Sequence, residues 1–249
     1  MTSLVNFLRQ KNKTTDYQRV VSLQILIIGL GLTLEHILAL FGITNAQTFL
    51  FGLYSLFGVA YMYLLWDLLK NFTQKKWLIK TVGYTYLGVF VLGNLAQNPF
   101  LSIFNNPQPA LAVLHGTLML TEILLVGFGI TDLFSENYTT AQRIWASVCI
   151  YLMIGIGWGS LYEMLLAIDH NAFGVYLPAG MKGYSESIYH SFCNLAGISS
   201  IYTNPSTLVR NLGLIEGIWG NLYIVLLIGR VLGGGNDSPP AANLRGEKT

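Results

Sequence analysis

SIYHSFCNLAGISSIYTNPSTLVRNLGLIEGIWGNLYIVLLIGRVLGG, residues 187–234, decides the fold of this chain. It reads as a short amphipathic helix, a Gly- and Ser-containing turn ending at Asn204-Pro205, and then a long apolar helix. A bilayer core of about 30 Å takes roughly 20 residues per helix, so the long arm spans and the short arm does not.

The composition around this hairpin belongs to a membrane protein. Of 249 residues, 53% are hydrophobic and 10% charged, with a mean hydropathy of +0.51. Soluble domains carry about a quarter charged residues. The expected fold class is all-α integral membrane, with six transmembrane helices plus a re-entrant pore helix and a filter-like loop. The spans fall near 20–42, 46–69, 78–97, 109–134, 142–168 and 208–232, separated by turn residues at Asn45, Asn98-Pro99, Pro107 with Pro109, and Asn137. Between the fifth and sixth spans, residues 169–207 hold a shorter helical segment from Tyr184 to Leu195.

The domain reading follows from these segments. Residues 1–19 form a polar, basic N-terminal segment that is not a secretory signal, since the apolar run after it is long enough to span. Residues 20–134 form a four-helix membrane domain, 142–234 the hairpin domain, and 235–249 a disordered Gly- and Pro-rich tail. Cys149 and Cys193 fall inside helices and make no disulfide framework.

Orientation follows from the basic residues. Arg9, Lys11, Lys13 and Arg19 precede span one; Lys70, Lys75, Lys76 and Lys80 lie between spans two and three. Arg143 lies between four and five, and Arg230, Arg245 and Lys248 follow six, leaving Lys182 and Arg210 for the opposite side. Both termini are therefore expected in the cytoplasm, with 169–207 opening outward. The expected location is a bacterial inner membrane or a related internal membrane.

The hairpin carries further detail. Helix five ends in WGSLYEMLLAIDHNAFGVYLP, the short helix has an aromatic-hydroxyl pattern, and the last helix strings together Arg210, Glu216, Gly217, Gly220, Leu222-Tyr223 and Arg230-Val231-Leu232-Gly233. Over residues 142–234 the chain resembles the potassium-channel pore-domain family, two helices plus a P-loop, in its bacterial six-helix form. The resemblance implies an outer helix, a pore helix, a filter, an inner helix with a glycine hinge at Gly217 or Gly220, and a homotetramer. It also implies a path lined by the loop and by inner-helix residues such as Asn221. Glu186 and His190 would sit at the mouth or hydrogen-bond the filter region.

The filter departs from the family. A TVGYG filter lines up backbone carbonyls that replace an ion's water shell, and its glycines take backbone angles that side chains disfavour. Counting back from Pro205, those positions hold Gly197, Ile198, Ser199, Ser200 and Ile201, with Tyr202 where the family has an aspartate. Sliding the register puts Gly197 on the first glycine but leaves Ser199 on the second. The expectation is weak potassium selectivity at most. Thr81-Val82-Gly83-Tyr84-Thr85 imitates the filter string at the cytoplasmic start of helix three, with no pore helix before it, and is read as coincidence. Helix four carries no regularly spaced arginines or lysines, which argues against voltage sensing.

Other polar residues lie within apolar spans: Glu35, His36, His115, Glu122, Glu163 and Glu216. Such groups mark functional sites by default, or neutral packing between helices. His115 and Glu122 share a helix face and could join Glu35 and His36 in a proton relay. No ligand-like spacing points to a metal or cofactor, and no catalytic set appears. Glycines at 155, 157 and 159 in helix five and at 213, 217 and 220 in helix six are expected to let those helices pack on each other, with Trp158 and Trp219 filling space. Tyr17, Trp77 and Tyr138 are expected in interfacial belts. The expected function is a channel-like integral membrane protein with the lipid bilayer as partner and no nucleic acid. The alternative is a non-conducting structural or regulatory subunit, within a larger membrane complex, built on a channel scaffold.

Overall fold

The computed structural model describes residues 2–41, 46–98, 104–134 and 140–233. Among them it is all-helical: α1 (Thr2–Leu40), α2 (Ala46–Phe72), α3 (Lys76–Gln97), α4 (Gln108–Leu133), α5 (Thr140–Ile168), α6 (Met181–Leu195) and α7 (Thr207–Gly233). Five stretches are long and apolar enough to cross a membrane: Thr14–Leu34, Phe51–Phe72, Lys76–Gln97, Gln108–Leu133 and Thr140–Ile168. Helix α7 has 27 residues and α6 has 15, so at 1.5 Å per residue they measure about 40 and about 22 Å. Large apolar side chains such as Ile25, Leu56, Leu87, Ile123 and Val225 stand exposed on the outer faces, as a lipid-facing surface requires.

Helix ends fall within about a turn of the sequence expectation, with one exception. Helix α1 starts at Thr2, so the basic stretch 2–19 continues as helix directly into the first span. Its Tyr17 is 1% exposed, packs on Phe72 and donates to Asp132; it anchors the helix core and is no interfacial belt residue. Trp77 is exposed. Asn45, Pro99, Asn137, Tyr138 and the tail 235–249 lie outside the described residues.

Helix α5 is the hub. It packs against α1, α4, α6 and α7, and Ala146, Cys149, Ile150 and Met153 sink its first half into the core with Leu65, Leu69 and Leu125. Cys149 and Cys193 are free thiols. Helix α7 sits at the edge, touching α6 and α5. Its inner face presents Val209, Glu216, Gly220 and Tyr223, while Asn211, Leu214, Ile218, Asn221 and Val225 form an exposed stripe on another side.

Candidate functional site

One set of buried polar groups converges on the short helix α6. Ser187, His190, Ser191 and Asn194 recur at helical spacing, a polar stripe, and the first three are buried. This stripe faces protein, so each group needs a partner. Two glutamates from the flanking helices supply the acceptors.

Glu163 of α5 receives the Gly180 backbone N–H at 2.6 Å and the Ser187 hydroxyl at 3.4 Å. Gly180 is the N-cap of α6, so a carboxylate meets the positive end of the helix dipole. Glu216 of α7 is fully buried. Its Oε2 accepts from Tyr162 at 2.8 Å and from Asn194 at 3.0 Å, and its Oε1 accepts from Ser191. Ser191 also reaches the Gly155 carbonyl at 2.8 Å. Three helices are thereby tied through one carboxylate.

The glycines serve α6 rather than joining α5 to α7 directly. A Cβ at Gly155 would run into the Phe192 ring, and one at Gly159 into Ile188. On α7, Gly213 and Gly217 face Asn194, and Gly220 faces Leu195 at 2.9 Å. Gly157 instead faces Glu122 of α4. The small residues on both long helices open a slot for the short one, which corrects the expectation of direct close packing between the two. Trp158 packs on Tyr162, and Trp219 is 59% exposed.

The loop after α6 begins with a helix cap. The Ile198 N–H bonds to the Cys193 carbonyl and the Gly197 N–H to Asn194, a Schellman pattern with Gly197 (φ +68°) as its left-handed residue. Among the described residues the positive φ values belong to Gly174, Gly180 and Gly197 alone; Ile198 through Ile201 do not take that conformation. Ile198 and Ile201 are 62% and 67% exposed, and Ser199 between them is exposed.

The loop is then pinned back onto α6. Ser200 Oγ lies 3.0 Å from His190 Nδ1, and Tyr202 donates to Glu186. Burial, followed by the Glu186 bond and its charge, raises the Tyr202 phenol above its ordinary value, so it remains a donor. His190 stands among Tyr162, Phe173 and Tyr202, and burial there lowers its imidazole below the ordinary value. Farther on, the Ser206 N–H bonds to the Ala172 carbonyl at 2.9 Å, closing the segment 172–206 on itself. Glu186 and His190 thus bond to the loop, and Asn221 stands exposed on α7.

The second polar group lies elsewhere. His115 and Glu122 are both buried, but Glu122 Oε1 accepts from Tyr61 at 2.8 Å, and Tyr61 accepts from Gln24 at 3.3 Å. His115 packs its ring on Tyr184 at 4.8 Å. The side chains of Glu35 and His36 lie outside the described residues. Among the described residues no cluster of three or more His, Cys, Asp or Glu could hold a metal ion.

Sequence reasoning named Glu163, Glu216, Glu186 and His190 but missed Tyr162, Ser191 and Asn194. The signal was present: a polar stripe on a short helix, opposite carboxylates on both neighbours. Comparison with protein families, with curated proteins and with solved structures gives no match.

Proposed function

We propose that this chain is a channel-like integral membrane protein in which residues 142–234 form one repeat of a pore. In this reading α5 is the outer helix, α6 a re-entrant pore helix, 196–206 the mouth loop and α7 the inner helix and sixth span. Four copies surround a common axis, with both termini in the cytoplasm. The observation that carries it is the depth of α6. Its Phe192 seats on Gly155 and its Leu195 on Gly220. Each glycine is 13 residues from the loop end of its helix, since α5 ends at Ile168 and α7 starts at Thr207. That is about 20 Å down a helix, near the middle of a bilayer core. The segment nevertheless starts and ends at one place, because Ser206 bonds to Ala172.

The exposed stripe of α7 supports assembly. Asn221 lies halfway along a helix that lipid would surround, where an unsatisfied amide is costly. A neighbouring copy or a water-filled path satisfies it. Permeation in this reading is cationic and weakly selective, because the loop has one left-handed glycine where a potassium filter needs two.

The second reading, a non-conducting scaffold, is favoured by the exposed Ile198 and Ile201 at the loop tip, which would plug a narrow mouth. Purified protein in planar bilayers separates the two. The channel reading predicts cation current with a reversal potential short of the potassium value, enlarged by the double variant Ile198→Ser/Ile201→Ser. Folded tetramers that stay silent under every condition, the double variant included, leave the scaffold reading.

A further inference from the structure

Helix α3 leaves one face uncovered. Val82, Tyr86 and Val89 turn into the protein, and Gly83 lies against the ring of Trp66, whose Nε1 donates to the Ile79 carbonyl at 3.0 Å. Trp77, Lys80, Tyr84, Leu87 and Val91 recur at steps of three and four, so they share the opposite face, and all of them are exposed. The stripe changes character along its length. Leu87 and Val91 are apolar, while Lys80 stands between the aromatic Trp77 and Tyr84. Lys75 and Lys76 are exposed at the start of the helix, and Lys70 lies in the last turn of α2. The nearby acids are already engaged. Asp67 pairs with Lys70 at 3.3 Å, and Asp16 accepts from Asn71 at 3.0 Å with the Arg19 charge close to it. Among the described residues Lys75, Lys76 and Lys80 have no ion pair.

We propose that this face of α3 is a docking surface for an anionic phospholipid. Lys76 and Lys80, with Lys75 beside them, meet the negative headgroup, and an acyl chain lies along Tyr84, Leu87 and Val91. Two features of the face select this occupant. The uncompensated ammonium groups call for a negative partner, and each lysine beside an anionic membrane surface is worth about a fivefold preference. The lysines also run without a break into an exposed apolar stripe, inside the stretch Lys76–Gln97 that is long and apolar enough to span a membrane. An acidic soluble protein or free phosphate satisfies the lysines but leaves the stripe uncovered. Trp77 and Tyr84 are of the amphipathic type that sits at the level of the headgroups. Lys80 lies one turn inside the span, and its long apolar stem lets the ammonium reach back to that level. The surface is independent of whether the hairpin conducts.

The test places the full-length protein in phosphatidylcholine vesicles that contain brominated phosphatidylglycerol or, in parallel, brominated phosphatidylcholine. Bromine high on an acyl chain quenches a tryptophan beside it, and the signal read is the part of the quenching that Trp77→Phe removes. The expected result is half-maximal quenching at an anionic-lipid fraction about fivefold or more below that of the zwitterionic lipid. The gap should narrow in concentrated sodium chloride, which screens exposed charges. Lys75→Gln/Lys76→Gln/Lys80→Gln should close the gap, whereas Lys75→Arg/Lys76→Arg/Lys80→Arg should keep it. Excess soluble polyglutamate should leave it in place. The assignment to lipid is overturned by quenching that does not depend on Trp77, or by equal quenching from the two brominated lipids. It is equally overturned by a gap that survives the glutamine variant, that the arginine variant loses, or that polyglutamate erases, the last of which would give the face to an acidic protein.

Discussion

Glu216 is held by donors from two other helices, Tyr162 on α5 and Ser191 and Asn194 on α6. Removing one donor costs less than removing the acceptor, since the latter takes a partner from Tyr162, Ser191 and Asn194 at once. Tyr162→Phe should lower stability by about 1 kcal/mol. Glu216→Leu should cost several times more, read as thermal unfolding in detergent. His190 makes a prediction with a sign. Its folded-state imidazole is held below the ordinary value of 6.5. Below that pH the unfolded chain takes up a proton that the folded chain refuses, so stability present at neutral pH is lost as pH falls. Relative to His190→Phe, the wild type should therefore lose thermal stability as the pH falls from 7 to 5. At this scale the sequence revealed which residues were unusual, because an ionisable group in an apolar run is rare. It did not reveal their partners. Tyr162 and Asn194 look ordinary until α6 is laid between α5 and α7, and Gly197 reads equally well as a filter glycine or a helix cap.

Helix α6 depends on its slot more than on its own propensity. At 15 residues it is near the length at which an isolated helix is marginal, and it buries a polar stripe. Gly159→Ala would press a methyl against the Ile188 side chain and approach its backbone Cα at 3.2 Å, which should cost about 1–3 kcal/mol. Gly52→Ala on α2 meets nothing within 4 Å, and should be neutral or slightly stabilising, because alanine is the better helix former. A pair of unfolding curves measures the contrast. Gly174→Ala belongs with the first class, for its φ is +78° and the new methyl would collide with the Asn204 carbonyl. The glycine spacing on α5 and α7 was visible in the sequence as a sign of close approach. Which helix approaches was not, since periodicity gives a face and not the neighbour that covers it. The early start of α1 has a related reason: Tyr17 has a buried seat on Phe72 and Asp132, which a polar, basic run does not reveal.

For the molecule as a whole, length and hydropathy carried most of the fold. Runs of about 20 apolar residues separated by turn residues have few alternatives in a bilayer, and helices formed where those runs lie. Packing order was less legible, because lipid-facing and protein-facing sides are equally apolar; the role of α5 as hub comes from its contacts, not its pattern. The central claim is that the 142–234 hairpin forms one repeat of a pore whose axis the exposed stripe of α7 faces. Single-channel recording of wild type beside Asn221→Asp tests it most directly. The account predicts cation currents in the wild type and a larger, more cation-selective current when a negative charge is placed at residue 221. Folded oligomers without current, or currents that Asn221→Asp leaves unchanged, would contradict it.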